Sequence, residues 1–206
     1  MSPVASGLGL RRGLRVAFCA VLLLSGTCWP ASTPETKHLT AILITAQDDL
    51  ADSDFAGSIV LVMNNLGTAP VGVIINRPTQ VPVSRLFPDL KRLAPLSDKV
   101  YFGGPVEFET VWFLFRSATP PKDAIQVLDG VYISAKRELL HELLGRDKPM
   151  DGLRIFIGHA GWAPGQLEGE LAHGFWFTTP QDAKLVFDDD RDAVWDHAMK
   201  RRTQDL

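Results

Sequence analysis

Arg154-Ile155-Phe156-Ile157-Gly158-His159-Ala160-Gly161-Trp162-Ala163-Pro164-Gly165-Gln166-Leu167-Glu168-Gly169-Glu170-Leu171 decides how the chain folds. An apolar β-type run enters a glycine-rich turn, Gly158–Gly165, and a helix start marked by Pro164 and Gly165 leaves it. A strand passing through small residues into a helix points unpaired N–H groups at whatever lies beyond the helix N-terminus, so the turn can hold an anion or a small polar ligand. The same geometry also serves as a plain junction, with glycines allowing close packing and Trp162 filling core space. The plain reading is favoured, because no Lys or Ser/Thr stands where a phosphate loop needs one. No Gly-x-Ser-x-Gly elbow occurs either, so the turn presents no hydrolase nucleophile.

Upstream, Leu39–Thr45 reads as a buried first strand, followed by a polar loop over Gln47–Ser53. Ser58–Met63 and Val71–Asn76 read as a hairpin around Asn64-Asn65-Leu66-Gly67, with Pro78 ending the third strand. Val83–Leu93 is a short helical or irregular crossover broken by Pro88. Val100-Tyr101-Phe102 leads into the Gly103-Gly104-Pro105 turn, and Val111–Phe115 is a strongly apolar strand. Asp129-Gly130 joins Gln126–Leu128 to Val131–Ser134, and Ser134 is expected to cap a helix from Ala135 to Leu144 that Gly145 stops. Phe175–Thr178 is a further strand, and a final helix runs from Arg191 to about Arg201. Strands of mixed spacing with interspersed helices, and no internal repeat, argue a single α+β domain with a mixed sheet.

The 206 residues carry a net charge of −3. Setting aside Arg11, Arg12 and Arg15 leaves 18 basic against 24 acidic residues, a poor endowment for neutralising phosphates. Nucleic acid is therefore not an expected partner. Both cysteines, Cys19 and Cys28, lie near the N-terminus, so the rest of the chain has no disulfide, thiol nucleophile or Cys-ligated metal. Arg11, Arg12 and Arg15 precede the apolar run Val16–Leu24 and then Ser25, Gly26 and Thr27. That order makes residues 1–32 a signal peptide or N-terminal membrane anchor, residues 33–38 a polar linker and residues 39–206 the domain. Export to the periplasm or membrane is expected, with a cytoplasmic protein as the alternative.

Four motifs occur in order: Asp54-Phe55-Ala56-Gly57-Ser58-Ile59-Val60, Gly72-Val73-Ile74-Ile75-Asn76-Arg77-Pro78, Tyr101-Phe102-Gly103-Gly104-Pro105-Val106, and Gly158–Glu168. With them the chain resembles the YqgE/AlgH family of bacterial proteins (UPF0301), from about Leu39 to the C-terminal helix. The resemblance implies a mixed β-sheet curled into a pseudo-barrel with flanking helices, and no established activity. The family's name implies a link to regulation of alginate synthesis, against which the acidic charge balance counts as far as DNA is concerned. Members have a Glu-His pair after the second strand where this chain has Asn64-Asn65, so any acid/base or metal role of that pair is lost here.

The candidate ligand contacts are Asn76, Arg77, Gly103, Gly104, His159, Gly161, Trp162, Gly165 and Gln166. Arg77 can present a fork to a carboxylate or phosphate, although pairing with an internal acid such as Asp54, with Asn76 closing the turn, is favoured. His159 and His173 do not have ligand spacing with Glu168 or Glu170, and those two glutamates point to different helix faces. Asp188-Asp189-Asp190 suits a helix cap better than Ca²⁺. No metal, cofactor or catalytic set is expected. The function these features suggest is a non-catalytic binding or regulatory domain for a small anionic ligand or a protein partner. The alternatives are an enzyme using His159 as acid/base and Arg77 as anion clamp, and a transcriptional regulator.

Overall fold

β1 (Ala41–Ala46) and β2 (Ile59–Met63) pair antiparallel, with Ala41 opposite Met63 and Thr45 opposite Ile59. Successive side chains of a strand point to opposite faces. Leu43, Ile59, Leu61 and Met63 accordingly enter one apolar cluster, and Ile44, Val60 and Val62 enter another. β2 is buried on both sides, which is why its sequence is an unbroken apolar run. The computed structural model describes residues 41–47, 50, 53–64 and 66–201, so the expected targeting segment 1–32 and linker 33–38 lie outside them.

β3 (Val71–Ile74) returns antiparallel beside β2, as the hairpin reading requires. Pro78 does more than end that strand. It opens β4 (Pro78–Pro82), which pairs with β5 (Lys99–Phe102) in a register that shifts between the two prolines. Proline cannot donate to a ladder but is tolerated at a strand's first residue and on an edge, and among the described residues β4 pairs with β5 alone. The crossover between them holds α1 (Val83–Leu86) and a 3-10 turn at Lys91–Leu93.

β6 runs over Val106–Arg116, longer than its apolar half predicts. β7 (Ile125–Leu128) and β8 (Val131–Ser134) form the expected hairpin, with Gly130 at φ 64°. α2 (Arg137–Leu144) begins two residues later than expected, and Ser134 is not its cap. The Ser134 hydroxyl accepts the Lys136 N–H at 3.1 Å and donates to the Asp123 carbonyl at 2.7 Å, so it closes a local turn before the helix begins.

β9 (Leu153–Gly161) joins the parts. Its Leu153–Ile157 half lies antiparallel to β6, while Phe156 and Ile157 pair in parallel with Tyr101 and Phe102 of β5. Its far end, Ala160-Gly161, pairs with β3. Gly158–Gly161 therefore belong to a strand, not to the expected turn. Gly158 is required by its φ of 68° and by the Gly104 carbonyl oxygen 2.4 Å from where a β-carbon would sit, whereas Gly161 has room for one. The turn shrinks to Trp162–Gly165, after which come α3 (Gln166–Ala172) and β10 (Trp176–Thr179), which pairs with β1. α4 (Ala183–Phe187) was not foreseen; α5 (Arg191–Arg201) has the expected bounds.

The strand order β10-β1-β2-β3-β9-β6-β8-β7, with β5 and β4 branching from β9, is the curled mixed sheet of an α+β fold. Leu185 and Val186 of α4 and Val194 and Ala198 of α5 pack with Leu43, Leu61 and Phe156. Leu140, Leu143 and Leu144 of α2 cover Phe113, Phe115 and Ile155, and Leu167 of α3 covers the third cluster. Among the described residues no helix is long and apolar enough to cross a membrane.

Candidate functional site

The bends singled out in the sequence do meet, but backbone against backbone. Gly103 N–H donates to the Ile157 carbonyl at 2.8 Å, and the Gly103 carbonyl accepts from Ile74 N–H at 2.9 Å. A β-carbon at Gly103 would lie 2.3 Å from the Gly158 oxygen, and one at Gly104 would lie 2.3 Å from the His159 carbonyl carbon. These glycines are there because no side chain fits where β5 turns across β9.

Asn76 closes the turn beside them, accepting Ile59 N–H at 2.9 Å and donating to the Gly57 carbonyl at 2.9 Å. The Arg77 fork points inward to the Asp54 carbonyl, the Ala56 carbonyl at 2.7 Å and the Ser58 hydroxyl at 2.8 Å. Its guanidinium lies 5.6 Å from the centre of the Phe102 ring. Burial lowers the Arg77 pKa, and the Asp54 charge opposes that shift. Arg77 is thus held by the loop's backbone carbonyls rather than by a side-chain carboxylate.

Trp162, Gly165 and Gln166 belong to a second group around Glu170. The Gln166 side chain accepts Ala163 N–H at 2.9 Å and donates to Glu170 at 2.8 Å. Glu170 also accepts the indole N–H of Trp162. Gly165 adopts φ 79°, and α3 spans seven residues, with Gln166 N–H on the Ala163 carbonyl at 3.0 Å and Gly169 N–H on the Gly165 carbonyl at 3.1 Å. Exposed Glu168 and half-buried Glu170 face apart, as their spacing requires. His173 sits exposed at the end of α3, with Nδ1 2.7 Å from the Gly169 carbonyl.

His159 is 9 % exposed and lies against Trp112, ring centres 6.0 Å apart. Its Nδ1 and the Trp112 Nε1 are buried without a hydrogen-bond partner among the described residues. Opposite His159, β6 leaves its register: Val106 faces His159 and Val111 faces Ile157, so Glu107–Thr110 arch outward against Gly158 alone. Glu107 takes φ 49°, and the Thr110 hydroxyl lies 3.3 Å from its carboxylate across the arch. Phe108 at the arch is 56 % exposed and Val106 at its foot 37 %; the Phe108 ring lies 5.9 Å from Phe102, and the Val106 side chain faces Gly161. Phe102, just before the Gly103 bend, and Gly161 thus border an apolar projection.

A site that the sequence reading missed lies where β5 and β9 run parallel. Arg154 is 5 % exposed although its partner carboxylate, Asp189 at 2.8 Å, is 93 % exposed. The guanidinium also donates twice to the Asp188 carbonyl at 3.1 Å and stands 4.3 Å from the centre of the Tyr101 ring. It borders a cavity of about 330 Å³ whose lining includes Asp98, Lys99, Tyr101, Phe187 and Asp189. Burial lowers the Arg154 pKa, with Tyr101 and Asp189 opposing, and burial raises that of Tyr101. The one signal available was an arginine between Leu153 and Ile155 in a strand otherwise apolar.

Curled mixed sheet, covering helices and a strand shared by three neighbours define an α+β half-barrel domain. The chain belongs to the AlgH-like family, whose model matches residues 42–206. A UPF0301 protein of an Anaeromyxobacter species is 35% identical over 181 residues, covering 82% of this chain and 90% of the relative. A UPF0301 protein of Paraburkholderia phymatum is 35% identical over 156 residues, covering 73% and 81%. The solution structure of AlgH from Pseudomonas aeruginosa matches with a TM-score of 0.65 at 26% identity, over 84% of this chain and 92% of that one. A crystal structure of a Corynebacterium diphtheriae protein shares the fold, with a TM-score of 0.64 at 24% identity over 80% and 87% of the two chains.

Proposed function

We propose that the chain is a non-catalytic binding domain that recognises a protein partner through the Glu107–Thr110 arch. The observation that carries this is Phe108, a large apolar side chain 56 % exposed on a strained backbone excursion, with exposed Val106 beside it. An exposed aromatic ring propped on Phe102 is the kind of anchor that a partner's pocket buries at the centre of an interface. Glu107 and Glu109 flank it, so the complementary partner carries Lys or Arg around an apolar pocket. A second copy of the chain fits poorly, since antiparallel self-pairing about Phe108 would bring glutamates together. The orphaned Trp112 Nε1 and His159 Nδ1 flank the foot of the arch, and a buried polar group without a partner costs about 1–3 kcal/mol. An arch remade on binding can relieve that cost. Arg77 gives no support to an anion clamp, because its fork is spent on internal acceptors.

The test is a photo-crosslinking residue placed at position 108 of the full chain in its native host. A discrete adduct that disappears in the E107K/E109K background supports the reading. Adducts no different from those obtained from exposed position 172 would refute it.

A further inference from the structure

From the cavity beside Arg154 we infer a binding site for a small zwitterion of the α-amino-acid class, independent of the Phe108 arch. The guanidinium is anchored on its inner side by the Asp188 carbonyl and stacked on Tyr101, so its position is fixed before any ligand arrives. Toward the cavity it holds the Asp189 carboxylate, which is almost wholly solvent-exposed. An exposed carboxylate on a buried guanidinium is a group a ligand carboxylate can replace at little desolvation cost, and it shows the geometry the replacement would take. A bond serving only to tie the segment after α4 to β9 would be supplied by the Asp188 carbonyl, without a cavity at the outer face.

Charge decides the ligand's class. The lining carries two cations, Lys99 and Arg154, against two anions, Asp98 and Asp189. A net anion or a net cation would leave one uncompensated charge in a partly desolvated site, whereas a zwitterion leaves the balance intact. The carboxylate takes the place of Asp189 on Arg154, and the ammonium goes to the freed Asp189 and to Asp98. Leu153 and Phe187 offer apolar surface to a side chain. A volume of about 330 Å³ is at the small end for ligand sites, suiting a single amino acid rather than a nucleotide.

The experiment titrates the ¹⁵N-labelled full chain with each of the twenty L-amino acids, then with the amide and the desamino analogue of the tightest. The expected result is saturable shifts of the Tyr101, Gly152 and Leu153 amides, with both analogues binding at least about tenfold more weakly, the loss for one charge-assisted hydrogen bond. R154K should weaken binding by a similar factor, because a lysine ammonium cannot reproduce the two bonds to the Asp188 carbonyl and still offer the Nη2 donor that now meets Asp189. If R154K fails to fold, the analogue comparison on the unaltered chain still decides. No response at those amides to any amino acid, or an analogue binding as tightly as its parent, overturns the inference.

Discussion

The carboxylate of Glu170 accepts the indole N–H of Trp162 at 2.9 Å, and the same oxygen accepts that of Trp176 at 2.8 Å. Its other oxygen takes the Gln166 amide at 2.8 Å, and Phe55 packs on both indoles at 6.3 and 5.5 Å between ring centres. One acid thus fastens α3 to β10 and to the end of β9. Removing it leaves two indole donors without an acceptor, each costing about 1–3 kcal/mol where water does not reach. E170A should lose about 2–4 kcal/mol in urea unfolding, with altered tryptophan fluorescence, and E170Q should lose less. An E170A chain as stable as the parent would show that water replaces the carboxylate.

The two closely packed glycines give a sharper contrast with one that is not packed. G103A forces a β-carbon into the Gly158 carbonyl, and neither backbone can yield without breaking the β5–β9 pairing. Overpacking at such a point costs about 1–3 kcal/mol or more. Gly169, inside α3, has an ordinary φ, and among the described residues nothing lies within 4 Å of where a β-carbon would sit. G169A should therefore stabilise by about 0.5–1 kcal/mol, the helix-propensity difference. Thermal unfolding of both variants checks the pair, and equal effects would contradict the packing described.

Local features were legible in the sequence where local chemistry dictates them. The β2–β3 and β7–β8 hairpins follow from apolar runs meeting at turn residues, and α5 follows from its capping aspartate, whose Oδ1 accepts Asp192 and Ala193 N–H groups. β4 was hidden because two prolines bound it, and α4 because five residues are too few to show a period. The Gly158–Gly161 segment looks like a turn in one dimension, since a glycine run signals reversal unless neighbouring strands are known to crowd it. Asn76 behaves as read, while Arg77 finds carbonyls instead of the expected carboxylate, a choice set by the path of residues 54–58. The Arg154 cavity was invisible because its partners lie 34 and 35 residues away.

Arg77 yields a prediction of its own. Its fork reaches two carbonyls and one hydroxyl on the loop before β2, a set that the single ammonium of lysine cannot match. R77K should cost about 1–2 kcal/mol and speed hydrogen exchange at Ala56 and Ser58 before the global transition. Exchange unchanged at those amides would mean the loop holds its shape without the guanidinium.

Tyr101 supplies a pH signature of the Arg154 cavity. Its hydroxyl is raised above the ordinary phenol range by burial first, with Asp189 and Asp98 adding to the shift and Arg154 and Arg191 opposing it. A raised acid keeps its proton longer in the fold than in the unfolded chain, where the pKa is about 10. Its contribution to stability is therefore complete below about pH 10 and is lost as pH rises toward the folded value. The parent should lose stability more steeply than Y101F as pH rises above about 10 in urea titrations, with the two curves parallel below that. Parallel curves throughout would mean that the phenol is as well solvated in the fold as out of it, and that the cavity is wetter than its geometry indicates.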